Sequence, residues 1–305
     1  MAADGTGGTT PLRRPVPCAV PEAVLPLLTG PIRVGRVLAR MSLAVVIALD
    51  PDADVDADRN QCPRAAPVLS LLAPGASGTP HGLRVPAADT ATVFAAATPG
   101  SRVAVGGGGV DLAGTLVRAA RTVPSRVPTG TPDPAALRRL AAVSAEHPSA
   151  LGHPADLVRV PTDPSLVRGL VGRGPGLTPA GDDLLAGLLC GLWATDRSDA
   201  AERVGAAVRR LAPGRTTALS ADLLHHAARG HAGDAVLAVV AAVRAAPGPR
   251  LRDAVAALLD IGHTSGADLL AGLVVGLSGS PERPPTPGRL CPPQDCPPQD
   301  GKDGR

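Results

Sequence analysis

The sequence predicts an α+β fold, with a β-rich domain over residues 22–130 followed by an α-helical domain over 131–280 that contains two pseudo-repeated glycine-loop/helix starts. Three observations carry this prediction. Short apolar runs, alternating or continuous and punctuated by Gly and Pro, fill the first part, as strands do. Apolar residues at helical spacing, opened by Thr-Pro or Asp-Pro and closed by Gly or Pro, fill the second. Two late segments, 172–183 and 262–268, each lead a glycine-rich loop into an apolar helix. Outside these domains, residues 1–21 read as a disordered lead-in and 281–305 as a disordered Pro-rich tail, because neither carries hydrophobic periodicity.

Composition narrows the function classes. Phe94 and Trp193 are the only aromatic residues, so the core must be built from Ala, Leu and Val, and stacking on nucleic-acid bases is nearly excluded. A net charge of +3, from 30 basic and 27 acidic residues, leaves no polyanion footprint. No nucleic-acid partner is expected. The longest apolar runs are too short to span a bilayer, and the first residues lack a basic-then-apolar signal, so the expected setting is cytoplasmic, with no membrane partner. The five cysteines, Cys18, Cys62, Cys190, Cys291 and Cys296, lack metal-ligand spacing. The tandem Cys-Pro-Pro-Gln-Asp repeat of the tail, without further ligands, reads as part of the disordered segment.

In chain order, residues 32–37 alternate as a half-buried strand and 43–49 form a continuous run suited to a buried one. The acidic segment 50–58 reads as a solvated loop, lacking the Gly and distal Glu of a calcium loop. Further strands are predicted at 68–72, 81–85 and 102–105. Gly106 to Gly109 read as a turn or mobile loop rather than a phosphate cradle, since the Lys-Ser/Thr ending of a nucleotide loop is missing. Residues 122–132 resemble a connector. Helices are predicted at 134–147, from a cap at Asp163 through Leu170, from Thr178 onward, at 198–211, 220–229, 234–246 and 251–261, and finally to about Leu277.

The helix that begins at Thr178 is the centre of interest. Thr178 suits an N-cap and Pro179 the first helical position. A glycine loop above bare N–H groups and a positive dipole end favours a phosphate or carboxylate. Asp182 and Asp183, as anions, would repel such a ligand unless a cation or a proton intervenes. The last helix echoes this one: Asp183-Leu-Leu-Ala-Gly-Leu-Leu-Cys-Gly-Leu192 and Asp268-Leu-Leu-Ala-Gly-Leu-Val-Val-Gly-Leu277 differ at two positions. Each places glycines four and eight residues beyond its Asp, at 187 and 191 in one and at 272 and 276 in the other, and such positions share a helix face. Because interior glycine costs about 1 kcal/mol relative to Ala, close helix–helix packing is the expected compensation.

Convergence of the two helix starts would assemble Asp182, Asp183, His263 and Asp268 as candidate catalytic groups. Arg173, Gly174, Gly176, Thr178, Gly181, Thr264, Ser265 and Gly266 would form the substrate-binding set. Asp183 and Asp268 either hold a cation such as Mg²⁺ or pair with backbone N–H groups, while Asp182 is expected to face the site or solvent. His263 suits a general base or a structural cap. His225-His226 are adjacent on a helix and do not face one another, which argues against a two-His metal pair. Arg215-Thr216-Thr217 is either an anion clamp or a solvated turn.

The motif Gly-x-Gly-x-Gly-Leu-Thr-Pro-Ala-Gly-Asp-Asp at 172–183, followed by Gly-His-Thr-Ser-Gly-x-Asp at 262–268, resembles a bacterial domain-of-unknown-function family that includes the AllH-type subunit of oxamate carbamoyltransferase. The resemblance covers roughly residues 20–280 and is firmest over 165–280. It implies a part in carbamoyl transfer between oxamate and phosphate during allantoin breakdown, with carbamoyl phosphate or a related anion bound at the paired helix starts. It also implies a hetero-oligomer with FdrA-type and other carbamoyltransferase subunits. The Ser-Thr-Arg-Thr motif of ordinary carbamoyltransferases is absent from the sequence, so the implied chemical contribution is partial. The alternative is a non-catalytic assembly or small-anion-binding subunit whose glycine loops are structural.

Overall fold

The structure, a computed structural model, describes residues 14–50, 66–152 and 164–278. Its first part closes into a barrel of eight strands: β1 (Val16–Pro21), β2 (Arg33–Arg40), β3 (Ala44–Leu49), β4 (Val68–Leu72), β5 (Gly82–Arg84), β6 (Arg102–Gly106), β7 (Gly109–Leu112) and β8 (Thr115–Val123). The order around the barrel is β1-β5-β4-β3-β2-β6-β7-β8. The β4–β5 and β8–β1 pairs are parallel and the others antiparallel. A barrel of about eight strands has an interior that side chains can fill. Here Ile47, Leu69, Leu71, Leu83, Val105, Val110 and Val117 are fully buried, joined by Leu28 of α1 (Leu25–Thr29) and Val93 of α2 (Ala87–Ala96).

Strand β1 corrects the expectation of a disordered lead-in to residue 21. It pairs with β8 from Val16↔Val117 to Pro21↔Val123, and so closes the barrel. Pro17 and Pro21 conceal it in the sequence, because proline argues against a central strand. Gly106 to Gly108 adopt φ of 137°, 58° and 96° and form the turn from β6 into β7, as the glycine run predicted. The acidic segment from residue 51, the cap at Asp163, Cys62 and the tail with Cys291 and Cys296 lie outside the described residues.

The second part is helical: α3 (Pro134–Glu146), α4 (Pro164–Leu170), α5 (Ala180–Ala194), α6 (Ser198–Leu211), α7 (Ala218–Ala227), α8 (Asp234–Ala242), α9 (Pro249–Leu259) and α10 (Ser265–Ser278). Asp133 caps α3, its Oδ1 accepting from Ala135 N and Ala136 N at 2.9 and 2.8 Å. Helix α5 is the central element, buried along its length except at half-buried Ala186 and Trp193. It packs on α10 through glycine. A Cβ placed on Gly187 would lie 2.1 Å from Leu269 O, and one on Gly272 only 1.9 Å from Leu184 O. Lower down, Gly191 and Gly276 face each other, each Cβ position 2.7 Å from the other residue's Cα. The backbones therefore touch with no side chain between them, which is the packing expected from the glycine spacing.

Barrel and helices are tied together at several points. Glu22 Oε1 accepts from Ser125 N and Arg126 N at 3.3 and 2.8 Å, and Arg84 of β5 pairs with Asp234 of α8. The connector runs beside the end of α7, where Val127 N donates to Gly230 O and Ala232 N to Ser125 O, each at 2.8 Å. No helix among the described residues is long and apolar enough to cross a membrane.

Candidate functional site

The glycine seam fixes where the two helices begin. With no side chains to hold α5 and α10 apart, their N-termini meet, and Thr178 Oγ1 lies 3.0 Å from Ser265 Oγ. Thr178 is therefore not the N-cap the sequence predicted. Pro179 takes that position, α5 starts at Ala180, and the Thr178 hydroxyl is spent across the helix pair instead.

The three aspartates have separate environments. Asp182 is 1% exposed and faces neither solvent nor an open site, contrary to expectation. Its Oδ1 accepts from Gly172 N at 2.8 Å, while its Oδ2 accepts from Ser220 Oγ at 2.7 Å and from Thr216 Oγ1. It thereby fastens the glycine loop to the start of α7. Asp268, fully buried, accepts through Oδ1 from Ser149 Oγ at 2.5 Å and Ala150 N at 2.9 Å, leaving Oδ2 without a hydrogen-bond partner among the described residues. Asp183 Oδ2 is likewise buried and, among the described residues, unpartnered. Burial pushes the Asp183 carboxyl up to about 7; the Ser265 and Thr178 hydroxyls oppose the rise, and the Asp268 and Asp182 charges add to it. Near neutral pH, Asp183 is thus divided between its protonated and ionised forms. A buried polar atom left unpaired costs about 1–3 kcal/mol, so the two free oxygens form a costly feature at one place in the fold.

Above these carboxylates, Arg173, Gly174 and Gly176 are exposed in a loop whose glycines 172, 174 and 176 adopt φ of 75°, 114° and 96°. Gly181 and Gly266 are buried, and a Cβ on either would fall 2.1 or 2.2 Å from Leu170 O or Leu258 O respectively. His263 and Thr264 lie exposed on the turn before α10. The bare first-turn N–H groups expected of the helix starts are in fact partly occupied. Gly181 N donates to Arg173 O, Asp182 N and Asp183 N to Pro179 O, Gly266 N to Ile261 O and Asp268 N to Thr264 O.

Arg215-Thr216-Thr217 turns out to be scaffold. Arg215 Nη2 donates to Arg168 O at 3.0 Å, Thr216 serves Asp182, and Thr217 Oγ1 caps α7 by accepting from Ser220 N at 3.0 Å. Ser149, which holds Asp268, was not singled out in the sequence. It follows Pro148 in a loop 119 residues from its partner, and no local pattern announces such a contact.

This paired-helix geometry lies within a stretch that matches a known family. Residues 170–277 match the family model of oxamate carbamoyltransferase subunit AllH. The resemblance carried by the two motifs is thus shown for the glycine loop, the seam and the turn before α10. The barrel lies outside the matched stretch. No solved structure matches the chain.

Proposed function

We propose that this chain is a subunit of an oxamate carbamoyltransferase-like enzyme in the cytoplasm, binding carbamoyl phosphate or a related small anion where α5 and α10 begin, at two pseudo-repeated glycine-loop starts. The observation that carries the proposal is Asp183, buried with an unpartnered oxygen and a carboxyl raised to about 7, inside the AllH-matched stretch. A protonated Asp183 removes the repulsion that made paired aspartates awkward beside an anion, and it supplies a proton donor at neutral pH. Arg173 and the exposed loop at Gly174 and Gly176 are the groups for the anion, with the hydroxyls of Thr178, Thr264 and Ser265 beside them. Asp182, fully engaged, acts as a positioning residue that holds this loop. In the ionised form of Asp183, its free oxygen and that of Asp268 suit instead a Mg²⁺ carried in with a phosphate, since Mg²⁺ is commonly bound through one or two carboxylates plus phosphate oxygens. His263, on the exposed turn, is the candidate general base.

The occupied first-turn N–H groups favour a second reading, in which the glycine loops are structural and the chain serves assembly with FdrA-type and other subunits. Calorimetry of the purified chain with carbamoyl phosphate, oxamate and phosphate, with and without Mg²⁺, separates the two. Binding by the isolated chain that weakens at least about tenfold in Asp183→Asn supports the first reading, a loss of about 1.4 kcal/mol. Binding that emerges only when a partner subunit is added, and is unchanged in Asp183→Asn, overturns it in favour of the second.

A further inference from the structure

A second cluster of buried chemistry lies away from the paired helix starts, where the barrel meets the helices. Asp222 and His226 sit four residues apart on one face of α7, and His81 arrives from the barrel just before β5. His81 Nδ1 lies 3.0 Å and His226 Nε2 3.3 Å from the same atom, Asp222 Oδ2. One ligand atom from each residue falls within 4.8 Å of the others, and all three residues are buried. His81 is fully buried, yet among the described residues neither of its ring nitrogens has a hydrogen-bond partner, nor does Asp222 Oδ2. The atoms thus converge at ion-pair distances on a single carboxylate oxygen, an arrangement of donors that a shared cation would also satisfy.

We propose that His81, Asp222 and His226 form a binding site for a divalent first-row transition ion, with zinc as the ion to test. Imidazole nitrogen and carboxylate oxygen are the donors such ions take. Metal–ligand bonds of about 2.0–2.2 Å around a tetrahedral ion separate neighbouring ligand atoms by roughly 3.3–3.6 Å, close to the spacing from Asp222 Oδ2 to the two rings. An ion there satisfies the unpartnered nitrogen and oxygen together. Three protein ligands leave one position for water or a small donor.

The fold prepares this meeting of barrel and helix. A Cβ on Gly233 would lie 2.2 Å from Gly78 O, so the loop bearing His81 rests directly on the start of α8, and the Arg84–Asp234 ion pair fixes the strand that follows. The ion would therefore bridge the two parts of the chain.

The test is zinc content of the full-length chain after loading with zinc and desalting, compared with His226→Gln, Asp222→Asn and a Cys291→Ser/Cys296→Ser double variant. The expected result is about one zinc per chain in the wild type and the cysteine variant, with affinity falling by at least about tenfold in the ligand variants, as changes at metal sites commonly do. Zinc absent from the wild type, retained undiminished in both ligand variants, or lost with the tail cysteines overturns the proposal. Should the ligand variants fail to fold, cobalt loaded into the wild-type chain decides it. Visible bands of nitrogen- and oxygen-ligated cobalt support the site, whereas a thiolate charge-transfer band or no bands overturns it.

Discussion

In the barrel, Ile47, Leu69 and Leu71 meet their neighbours through branched side chains; at the α5–α10 seam, Gly187 and Gly272 meet Leu269 O and Leu184 O with nothing in between. Both regions are buried, but they fail in opposite ways. A barrel filled by side chains can relax in part around a lost methyl, so that such a loss costs only about 0.5–1.5 kcal/mol. A seam in which backbones touch has no flexible atoms to move. The difference also has a functional side, because the seam alone sets how closely the starts of α5 and α10 approach, and so where Asp183 and Asp268 sit.

The strongest way to break the comparison is Gly272→Leu. A Cβ there falls 1.9 Å from Leu184 O, so the helices must separate. We expect a loss beyond about 4 kcal/mol, exceptional for a point change, and no cooperative unfolding transition by circular dichroism. A native-like melting curve would mean that the seam can open.

Next in size is the pH dependence of Asp183. Its carboxyl is raised from 3.8 to about 7, so the folded chain holds a proton that the unfolded chain releases earlier. The associated stability is fully present below about pH 4, is lost as pH rises towards 7 and beyond, and amounts to a difference on the order of 4 kcal/mol. Asp183→Asn carries no such titration. Urea unfolding of both proteins at pH 5 and pH 8 should show the variant gaining relative to wild type at the higher pH; equal differences at both would mean that the Asp183 carboxyl is not raised in the folded chain.

A matched pair of single-methyl changes then sharpens the contrast directly. Gly187→Ala adds one methyl at the seam and is expected to cost about 3 kcal/mol, whereas Ile47→Val removes one in the barrel for about 1 kcal/mol. Chemical denaturation of both variants measures the ratio, and an inverted order would show that the seam is the softer region. The smallest effect lies outside both regions: Asp133→Ala removes the cap of α3 and should cost about 1 kcal/mol in the same assay, with the starts of α5 and α10 unaffected.

Legibility in the sequence divided along the same line. Strands β2, β3, β4 and β6 were readable because each carries its own apolar pattern, and α6 was readable to the residue from Ser198 to Leu211. Strand β1 was not, since its two prolines obscure it and only pairing with β8 gives it a place. At the candidate site, the glycine spacing announced the seam, and the echo between residues 183–192 and 268–277 announced that two helix starts belong together. Local sequence pointed to Thr178 as a cap and Asp182 as a site-facing carboxylate. The structure assigned them otherwise, because the partners that claim them, Ser265 for Thr178 and Ser220 with Thr216 for Asp182, are far away in the chain.

By itself, then, the sequence determined the α+β division, the strands and helices with their own periodicity, and the glycine face that only close packing can compensate, since all of these arise from residues near one another in the chain. Tertiary structure alone decided the closure of the barrel through β1 and β8, the different environments of Asp182 and Asp183, and the meeting of His81 with Asp222 and His226. Those depend on which distant groups come within hydrogen-bonding or ligand distance, and on how much water their burial excludes.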